Sequence, residues 1–334
     1  MDNVRKTVFS GVQPTGRITL GNYLGAIKNW RPLQDEYNCL YCVVDLHSLT
    51  VTQDPALLRK NTMDLVALYI ACGIDPSKSS LFIQSHVHEH TELTWILDTI
   101  AYIGELNRMT QFKDKSRKHA DNINMGLMNY PVLMASDILL YQTDLVPVGK
   151  DQMQHLELAR DLAERFNNRY SPTFVVPEGL CFKVGGSIKS LQDPTAKMSK
   201  SDPNENAVIT LFDDPTAIRR KFRRAVTDCG TEVCFSEDKP AISNLLTIYS
   251  LCSGESIADA EKRFAEQGYG VFKDAVADVV ISVVEPIQTE QKRLVADKSY
   301  LESVLKQGAE QAERVARKTL DKVYRKVGLI GRFR

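Results

Sequence analysis

The first regular pattern in the chain is Thr7-Val8-Phe9-Ser10-Gly11-Val12, followed by Gln13-Pro14-Thr15-Gly16. The first six residues are typical of a buried strand. The next four favour a turn, because Pro and Gly lie in turn-favouring places. A helix is predicted from about Leu20 to Asn29. A strand, a tight turn and a helix in this order indicate the start of a βαβ unit.

The same alternation continues towards residue 170. Further strands are predicted at 39–45, 81–84 and 145–149, and further helices at 55–72, from 85 to about 107, and at 151–170. Strands that alternate with helices of this length predict an α/β fold with a parallel sheet. After about Ala207 the periodicity is helical, over 214–227, 242–252, 256–266, 271–296 and 299–327.

Length and composition are those of an ordinary globular protein. The 334 residues are 43% apolar and 25% charged, enough for two domains and a sizeable core. There is no run of about 18 apolar residues, so no membrane span is predicted, and no signal-peptide core follows the first residues. The seven scattered cysteines suit a reducing compartment, so the expected location is cytoplasmic.

Charged residues are unevenly distributed along the chain, although the net charge is zero. The net charge of zero argues against a strongly basic nucleic-acid binder. Basic residues nevertheless concentrate in 108–118, 218–224 and 306–334. Each segment could be a solvated helix face, and together they suggest a polyanionic partner.

The turn at Thr19-Leu20-Gly21-Asn22 lies where a parallel sheet binds nucleotides. The helix N-terminus offers unpaired N–H groups to phosphate. Thr19 and Asn22 can add side-chain donors on one face, and Gly21 has no Cβ to obstruct a flat base. The spacing of Gly21 and Gly25 also fits simple close packing of a helix.

A short polar loop, Lys197-Met198-Ser199-Lys200-Ser201, precedes Asp202-Pro203-Asn204. Two ammonium groups on such a loop can close over a polyphosphate and neutralise charge that develops during reaction. Lysines in loops are also often merely solvated.

These two elements resemble the HIGH and KMSKS elements of class I aminoacyl-tRNA synthetases, with Thr19 and Asn22 in place of the two histidines. Residues 149–155 resemble the GxDQxxH element of the tyrosyl/tryptophanyl subclass. Residues 9–16, 104–113 and 130–141 look like bacterial tryptophanyl-tRNA synthetases, and the resemblance runs along essentially the whole chain. Leu46 and Lys150 depart from the family, which usually has Gln and Glu there.

The resemblance implies a Rossmann-like (HUP-type) nucleotide-binding domain with a helical C-terminal domain. It implies a catalytic domain at 1–205, with an inserted dimer-interface segment around 104–145. A helical anticodon-binding domain is expected at 206–300, and a C-terminal helix at 301–334 that packs back on the catalytic domain.

The implied reaction joins tryptophan to AMP, releases pyrophosphate and then charges tRNA(Trp). The implied catalytic residues are Lys197, Lys200, Lys115 and Gln152. The implied ATP-binding residues are Gln13, Pro14, Thr15, Thr19, Gly21, Asn22, Gly149, Lys150, Asp151, Ile188, Lys197, Met198, Ser199, Lys200 and Ser201. The implied walls of the amino-acid pocket are Phe9, Val44, His47, Tyr130, Met134, Val146, Val148 and Gln152.

Asp137 carries the argument for tryptophan from the residues themselves. It lies in an apolar run that predicts a helix, with Met134 and Tyr141 on the same side. A buried carboxylate needs a donor, and an indole has one N–H on a large apolar ring. Phenylalanine would leave Asp137 unpaired and would be rejected. Asp137 could equally pair with an arginine or cap a helix.

Two patterns suggest metal ligands. Cys39-x-x-Cys42 with His47 lacks the second close ligand pair of a structural zinc site, and its text favours a buried strand. His86-x-His88-x-His90 fits a loop at a strand end. Zinc is therefore not expected. Cys229 and Cys252 could supply two ligands of the iron–sulfur cluster that some relatives carry, but no cysteine follows Cys252, so no cluster is expected.

The expected ligands and partners are therefore ATP with Mg²⁺, L-tryptophan, tRNA(Trp) and a second copy of the chain, with no membrane. Tyrosyl specificity is the alternative within the class. A non-catalytic RNA-binding relative is the alternative outside it.

Overall fold

The computed structural model describes residues 5–16, 18–113, 123–149, 152–181, 188–200 and 202–331. Within these residues one sheet of five parallel strands forms, in the order β3-β2-β1-β4-β5. The strands are β1 (Thr7–Val12), β2 (Asn38–Val43), β3 (Ser80–Ile83), β4 (Leu145–Pro147) and β5 (Glu178–Leu180). The predicted parallel α/β sheet is confirmed, and its doubly wound order is that of a Rossmann-like fold.

The first helix begins after β1 and runs unbroken, as α1 (Leu20–Asn22), a π-helical turn (Tyr23–Ile27) and α2 (Lys28–Glu36). The other helices of the sheet region are α3 (Pro55–Ala71), α4 (Glu89–Asp98), α5 (Ile103–Arg108), α6 (Met125–Leu139) and α7 (Met153–Arg169). The second half of the chain contains α8 (Pro215–Arg223), α9 (Pro240–Ser253), α10 (Ile257–Phe264), α11 (Gly268–Ala296) and α12 (Lys298–Val327). Short 3-10 turns occur at Leu46–Thr50, Gln84–His86 and Glu205–Ala207.

Helices cover both faces of the sheet. Successive strand residues point to opposite faces, so Val8 and Tyr41 join one apolar core while Phe9 and Cys42 join the other. The first core continues into α8–α11, and the second lies under α4, α6, α7 and part of α12. This double burial explains why the strands are nearly continuous apolar runs.

Two expectations about elements were wrong. The strand β5 was not predicted, because Glu178–Leu180 is short and largely exposed and carries no apolar pattern. The helix expected up to about residue 107 is broken into α4 and α5. The Ile100 carbonyl between them accepts a hydrogen bond from Arg165 at 2.6 Å, which replaces an intrahelical bond.

The last helix lies along the edge strand of the sheet. Gln311 accepts a hydrogen bond from Ser80 at 2.9 Å, and the Tyr324 hydroxyl donates to Glu92 at 2.9 Å. At Gly308 the two backbones come so close that a Cβ would lie 1.9 Å from the Leu81 carbonyl oxygen. The helix thereby covers an edge that would otherwise be open to pairing with another chain.

Among the residues that the structure describes, none of the helices has the length and apolar character needed to cross a membrane.

Replacing Gly308 by alanine should destabilise the fold by about 3 kcal/mol, because α12 must move away from β3 to accommodate the methyl group. Gly270 is the matched control. It also lies in a helix, but a Cβ there meets nothing within 4 Å, so Gly270→Ala should be neutral or stabilising by up to about 1 kcal/mol. Urea unfolding of both variants measures the difference. Equal free energies of unfolding for the two variants would contradict the close approach.

Candidate active site

The strand order places a crevice between β1 and β4. β1 pairs with β2 on one side and with β4 on the other, so the winding direction reverses here. Ligands of such sheets bind at this point, outside the carboxyl ends of the strands. The predicted nucleotide residues Gln13, Pro14 and Thr15 follow β1, and Val148 and Gly149 follow β4. The fold therefore brings these residues to one edge of the sheet.

Thr19 and Asn22 form a capping box at the start of α1. The Thr19 hydroxyl accepts from the Asn22 N–H at 3.1 Å, and Asn22 Oδ1 accepts from the Thr19 N–H at 3.2 Å and from its hydroxyl at 2.9 Å. Asn22 Oδ1 already accepts two hydrogen bonds within the capping box. The Nδ2 group of Asn22 is the side-chain donor that can still bind phosphate. The Thr19 hydroxyl proton is used within the box, and its contact with phosphate stays a prediction.

Residues 188–198 form a hairpin that carries the predicted lysine loop. The Met198 N–H donates to the Ile188 carbonyl oxygen at 2.9 Å, and both side chains are buried. A Cβ on Gly21 would lie 3.4 Å from Ile188 Cβ and 3.8 Å from Met198 Cβ. The hairpin thus packs directly over Gly21 in this conformation. Contact of Gly21 with adenine, and of Ile188 and Met198 with ATP, stays a prediction.

Lys200 reaches from the hairpin to the turn after β1. Its ammonium group donates to the Thr15 carbonyl oxygen and, at 3.0 Å, to the Thr15 hydroxyl. Gly16 has a φ of +70°, and a Cβ there would lie 3.3 Å from Lys200 Cδ. Desolvation lowers the pKa of the Lys200 ammonium, although much of the side chain stays exposed. Lys200 therefore joins the two halves of the predicted nucleotide site, while Lys197 and Ser199 lie exposed nearby.

Asn244 on α9 holds the base of this hairpin. Its Oδ1 accepts from the Lys189 N–H at 2.8 Å and its Nδ2 donates to the Lys189 carbonyl oxygen at 3.2 Å. Lys189 in turn forms an antiparallel bridge with Lys197. The helical half of the chain is thereby linked to the first lysine of the loop. Sequence analysis missed Asn244, because no local pattern marks a residue whose partner is 55 positions away.

The apolar residues predicted to bind the amino acid lie together. Phe9, Val44 and Val146 are buried in the core on the second face of the sheet, and Met134 and Val148 pack against it. This apolar wall lies beside the crevice between β1 and β4.

Asp137 is the buried centre of this region, with 1% of its surface exposed. Its Oδ2 accepts from His47 Nε2 at 2.8 Å, and its Oδ1 accepts from Gln84 Nε2 at 2.7 Å and from His90 Nδ1 at 2.7 Å. The expectation that a ligand supplies its only donor was wrong. A phenylalanine would leave one acceptor position unfilled rather than a whole carboxylate, so the penalty for it is smaller than predicted.

The ionisation of Asp137 follows from these bonds. Burial alone would raise the pKa of the carboxyl group, but the hydrogen bonds from His47 and His90 outweigh it and hold the pKa well below its usual range. The group is therefore a carboxylate that only accepts hydrogen bonds.

Gln84 and His90 were not predicted as site residues. His90 belonged to the pattern 86–90 that was assigned to a loop, but it is fully buried near the start of α4. Gln84 lies in the 3-10 turn after β3. No local sequence pattern marks them, because their common partner Asp137 lies 53 and 47 positions away.

Tyr130 and Gln152 lie next to this region. The Tyr130 hydroxyl is hydrogen-bonded to His155 Nε2 at 2.8 Å, and its ring lies edge-on to His47 with 6.3 Å between centroids. Burial raises the pKa of Tyr130. The Gln152 N–H donates to the Gly149 carbonyl oxygen at 3.0 Å. Their contacts with a bound amino acid stay predictions.

Four predicted site residues lie outside the described residues: Lys115, Lys150, Asp151 and Ser201.

The chain matches the family model of tRNA synthetases class I (W and Y) over residues 1–285. It therefore belongs to this family of aminoacyl-tRNA ligases, as the resemblance of its two nucleotide elements predicted.

Several proteins that are similar to this chain are named for tryptophan. The chain is 56% identical to the tryptophan–tRNA ligase of Clostridium tetani, over 99% of this chain and 98% of that one. The tryptophanyl-tRNA synthetase of Mycoplasma pneumoniae has a similar structure, with a TM-score of 0.91, 36% identity and 98% coverage of both chains. That of Campylobacter jejuni, complexed with ADP and tryptophan, has a TM-score of 0.82 and 34% identity, over 97% of this chain and 100% of that one.

Replacing Asn244 by leucine should lower the free energy of unfolding by about 2 kcal/mol, because both hydrogen bonds to Lys189 are lost while the volume is kept. Thr247→Val on the same helix is the control, since its hydroxyl bonds only to the Ser243 carbonyl oxygen at 2.7 Å. Urea denaturation compares the two. A loss of stability in Asn244→Leu no greater than that in the control would contradict the role of Asn244 at the hairpin base.

Proposed function

We propose that the chain activates L-tryptophan with ATP to form tryptophanyl-AMP and pyrophosphate, and then transfers tryptophan to tRNA(Trp). The observation that carries this proposal is the Asp137 carboxylate, buried against an apolar wall beside the crevice between β1 and β4. An indole presents one N–H donor on a large apolar ring, which suits such an acceptor. The Clostridium tetani relative at 56% identity carries the same activity in its name.

In the first step the tryptophan carboxylate attacks the α-phosphorus of ATP in line, and the bond from that phosphorus to the pyrophosphate oxygen breaks. No covalent enzyme intermediate is needed, so catalysis rests on positioning and charge neutralisation. Lys197 and Lys200 neutralise the leaving pyrophosphate, with Lys115 as a third cation. Gln13 and Gln152 orient the phosphates and the amino acid.

The nucleotide is held by both halves of the crevice. Asn22 and Thr19 hold phosphate at the start of α1, Gly21 lies against the adenine, and Asp151 binds the ribose. Mg²⁺ would enter as part of the ATP substrate and would add charge neutralisation at the phosphates rather than occupy a cage of protein ligands. In the second step the ester is transferred to the terminal ribose of the tRNA.

The helical half is the proposed tRNA-binding part, with 206–300 as the anticodon-binding domain. Phosphate contacts dominate such binding, and α8 carries a run of exposed arginines. Arg219 pairs with Asp278 at 2.5 Å and Arg223 with Asp274 at 2.8 Å, while Arg220 and Arg224 lie exposed beside them. A reaction that uses ATP and tRNA is expected in the cytoplasm.

Purified protein should catalyse ATP–pyrophosphate exchange with tryptophan and not with tyrosine. Lys200→Ala should lower kcat for exchange about a hundredfold, because charge on the leaving group is no longer neutralised. The KM for tryptophan should change little, since Lys200 bonds to the turn after β1 and not to the groups around Asp137. Lys189→Ala is the control, because the Lys189 ammonium bonds within the same hairpin, to the Thr195 carbonyl oxygen at 3.1 Å.

Exchange that depends on tyrosine alone would assign the chain to the other specificity of its family. Exchange that is equally fast in the Lys200 and Lys189 variants would refute the role of Lys200.

A second copy of the chain is the proposed partner in solution, because an apolar patch is exposed on the sheet region. Trp95 is 74% exposed and Met125 is 75% exposed. Their elements are joined by a hydrogen bond from Asn129 on α6 to Asp98 on α4 at 2.9 Å. The other exposed apolar residues of these elements and their neighbours are Leu49, Tyr102, Ile103 and Ile123. Large patches of this kind mark protein interfaces.

The double variant Trp95→Glu/Met125→Glu should be monomeric where the unaltered chain is dimeric, because two carboxylates would be buried without partners. Light scattering at micromolar concentration measures the mass. Val271→Glu is the control, since Val271 is 53% exposed on α11, away from the patch. An unaltered chain that is itself monomeric would contradict the proposed dimer, as would a double variant that stays dimeric.

A further inference from the structure

A second layer of buried polar groups lies behind Asp137. His90 is fully buried and bridges two groups: its Nδ1 lies 2.7 Å from Asp137 Oδ1, and its Nε2 lies 2.8 Å from the Tyr141 hydroxyl oxygen. Tyr141 is itself buried and its ring stacks on Phe9, with 5.6 Å between centroids and 10° between planes. The mechanism above uses neither His90 nor Tyr141.

The direction of these hydrogen bonds follows from what each group can donate. Asp137 is ionised and only accepts, so His90 Nδ1 must carry the proton. In the tautomer protonated at Nδ1 alone, Nε2 carries a lone pair and is an acceptor. The Tyr141 hydroxyl keeps its proton, because burial raises its pKa well above the usual value, and it donates to Nε2. The three groups form a one-way chain of donors, from Tyr141 through His90 to Asp137.

The other partner of the same carboxylate oxygen is also oriented. Gln84 Nε2 donates to Asp137 Oδ1, and Gln84 Oε1 accepts from the Leu46 N–H at 3.2 Å. The Gln84 amide is thus fixed with its donor towards Asp137.

The protein donors fill all but one of the acceptor positions of Asp137 among the described residues. A carboxylate has about four lone-pair positions. Gln84 and His90 fill both of those on Oδ1, and His47 fills one on Oδ2. Among the described residues, one position on Oδ2 is left for a donor.

We propose that His90 and Tyr141 are positioning residues for amino-acid recognition: His90 and Gln84 saturate Oδ1 of Asp137, and Tyr141 holds the Nδ1-protonated ring of His90 in place by donating to Nε2, so that one acceptor position on Oδ2 selects the indole N–H. This inference rests on the proposed tryptophan specificity. Neither residue touches the reacting atoms. Replacing either one should therefore change the binding of tryptophan and its discrimination from other substrates rather than the rate of the chemical step.

Tyr141→Phe tests the chain of donors, because it removes one hydroxyl and keeps the ring on Phe9. The KM for tryptophan in ATP–pyrophosphate exchange should rise about tenfold, with kcat and the KM for ATP within about twofold. Tyr69→Phe is the matched control. Tyr69 is equally buried, and its hydroxyl lacks a hydrogen-bond partner among the described residues, so its loss should leave every constant unchanged.

A comparison of two substrates separates a positioning role of Tyr141 from a general packing role. The isosteric substrate β-(3-benzothienyl)alanine replaces the indole N–H by sulfur. The ratio of kcat/KM for tryptophan to that for the analogue should fall about tenfold in Tyr141→Phe and stay constant in Tyr69→Phe. Equal losses for both substrates would overturn the proposal, because they would mean that Tyr141 only supports the fold.

His90→Asn and His90→Leu give a second test. The asparagine amide can restore a donor near Nδ1, so it should recover most of the discrimination that the leucine loses. Two variants that discriminate equally poorly, while remaining folded by circular dichroism, would count against a positioning role.

The tautomer can be observed without any activity. Long-range ¹H–¹⁵N spectra of ¹⁵N-histidine-labelled protein should show His90, assigned by its absence in His90→Asn, as a neutral ring protonated at Nδ1. In Tyr141→Phe the Nε2 resonance should shift, because this nitrogen no longer accepts a hydrogen bond, while Nδ1 stays protonated against Asp137. A doubly protonated His90 in the unaltered chain would overturn the proposal. Absence of tryptophan-dependent exchange in the unaltered chain would instead refute the proposed function, and this spectrum would still report on the donor chain.

Discussion

A carboxylate with 1% exposure is costly unless hydrogen bonds replace its water, and Asp137 imposes this constraint on one end of the sheet. Its three donors come from different segments: His47 from the turn after β2, Gln84 from the turn after β3, and His90 from α4. All three must be in place at once, because a half-satisfied buried charge is worse than none. Asp137 therefore sets how these segments are arranged around the apolar wall.

The nucleotide side of the crevice is built differently, from links between distant parts of the chain. Lys200 bonds to Thr15 across 185 positions, and the Leu20 N–H donates to the Ile209 carbonyl oxygen at 2.8 Å. Asn244 then ties the hairpin of 188–198 to the helical half. Each link contains only one or two hydrogen bonds, and Lys197 and Lys200 lie exposed, so the lysine end of the hairpin can open locally at lower free energy than the Asp137 side.

The parts of this structure that sequence analysis predicted are those with a local signal. The strand Thr7–Val12 has an unbroken apolar run, and Lys197 to Ser201 carries its chemistry in five consecutive residues. The donors of Asp137 lack such a signal, because they lie 47, 53 and 90 positions from it. Tertiary packing decides their roles, and the same holds for Asn244. The break at Ile100 likewise depends on Arg165, which is 65 positions away.

Recognition and chemistry therefore reside in parts of the molecule with different mechanical character. In the proposed function Asp137 discriminates by geometry, which requires buried groups whose orientations are fixed by several partners each. In the proposed reaction Lys197 and Lys200 act on charge that appears only during the chemical step, which requires cations that can approach and then release pyrophosphate. A single rigid site would serve the first requirement and hinder the second. The division between a buried hydrogen-bond network and exposed lysines at the end of the hairpin meets both, and it explains why the lysine loop predicts the reaction class while the predicted identity of the amino acid depends on residues around Asp137.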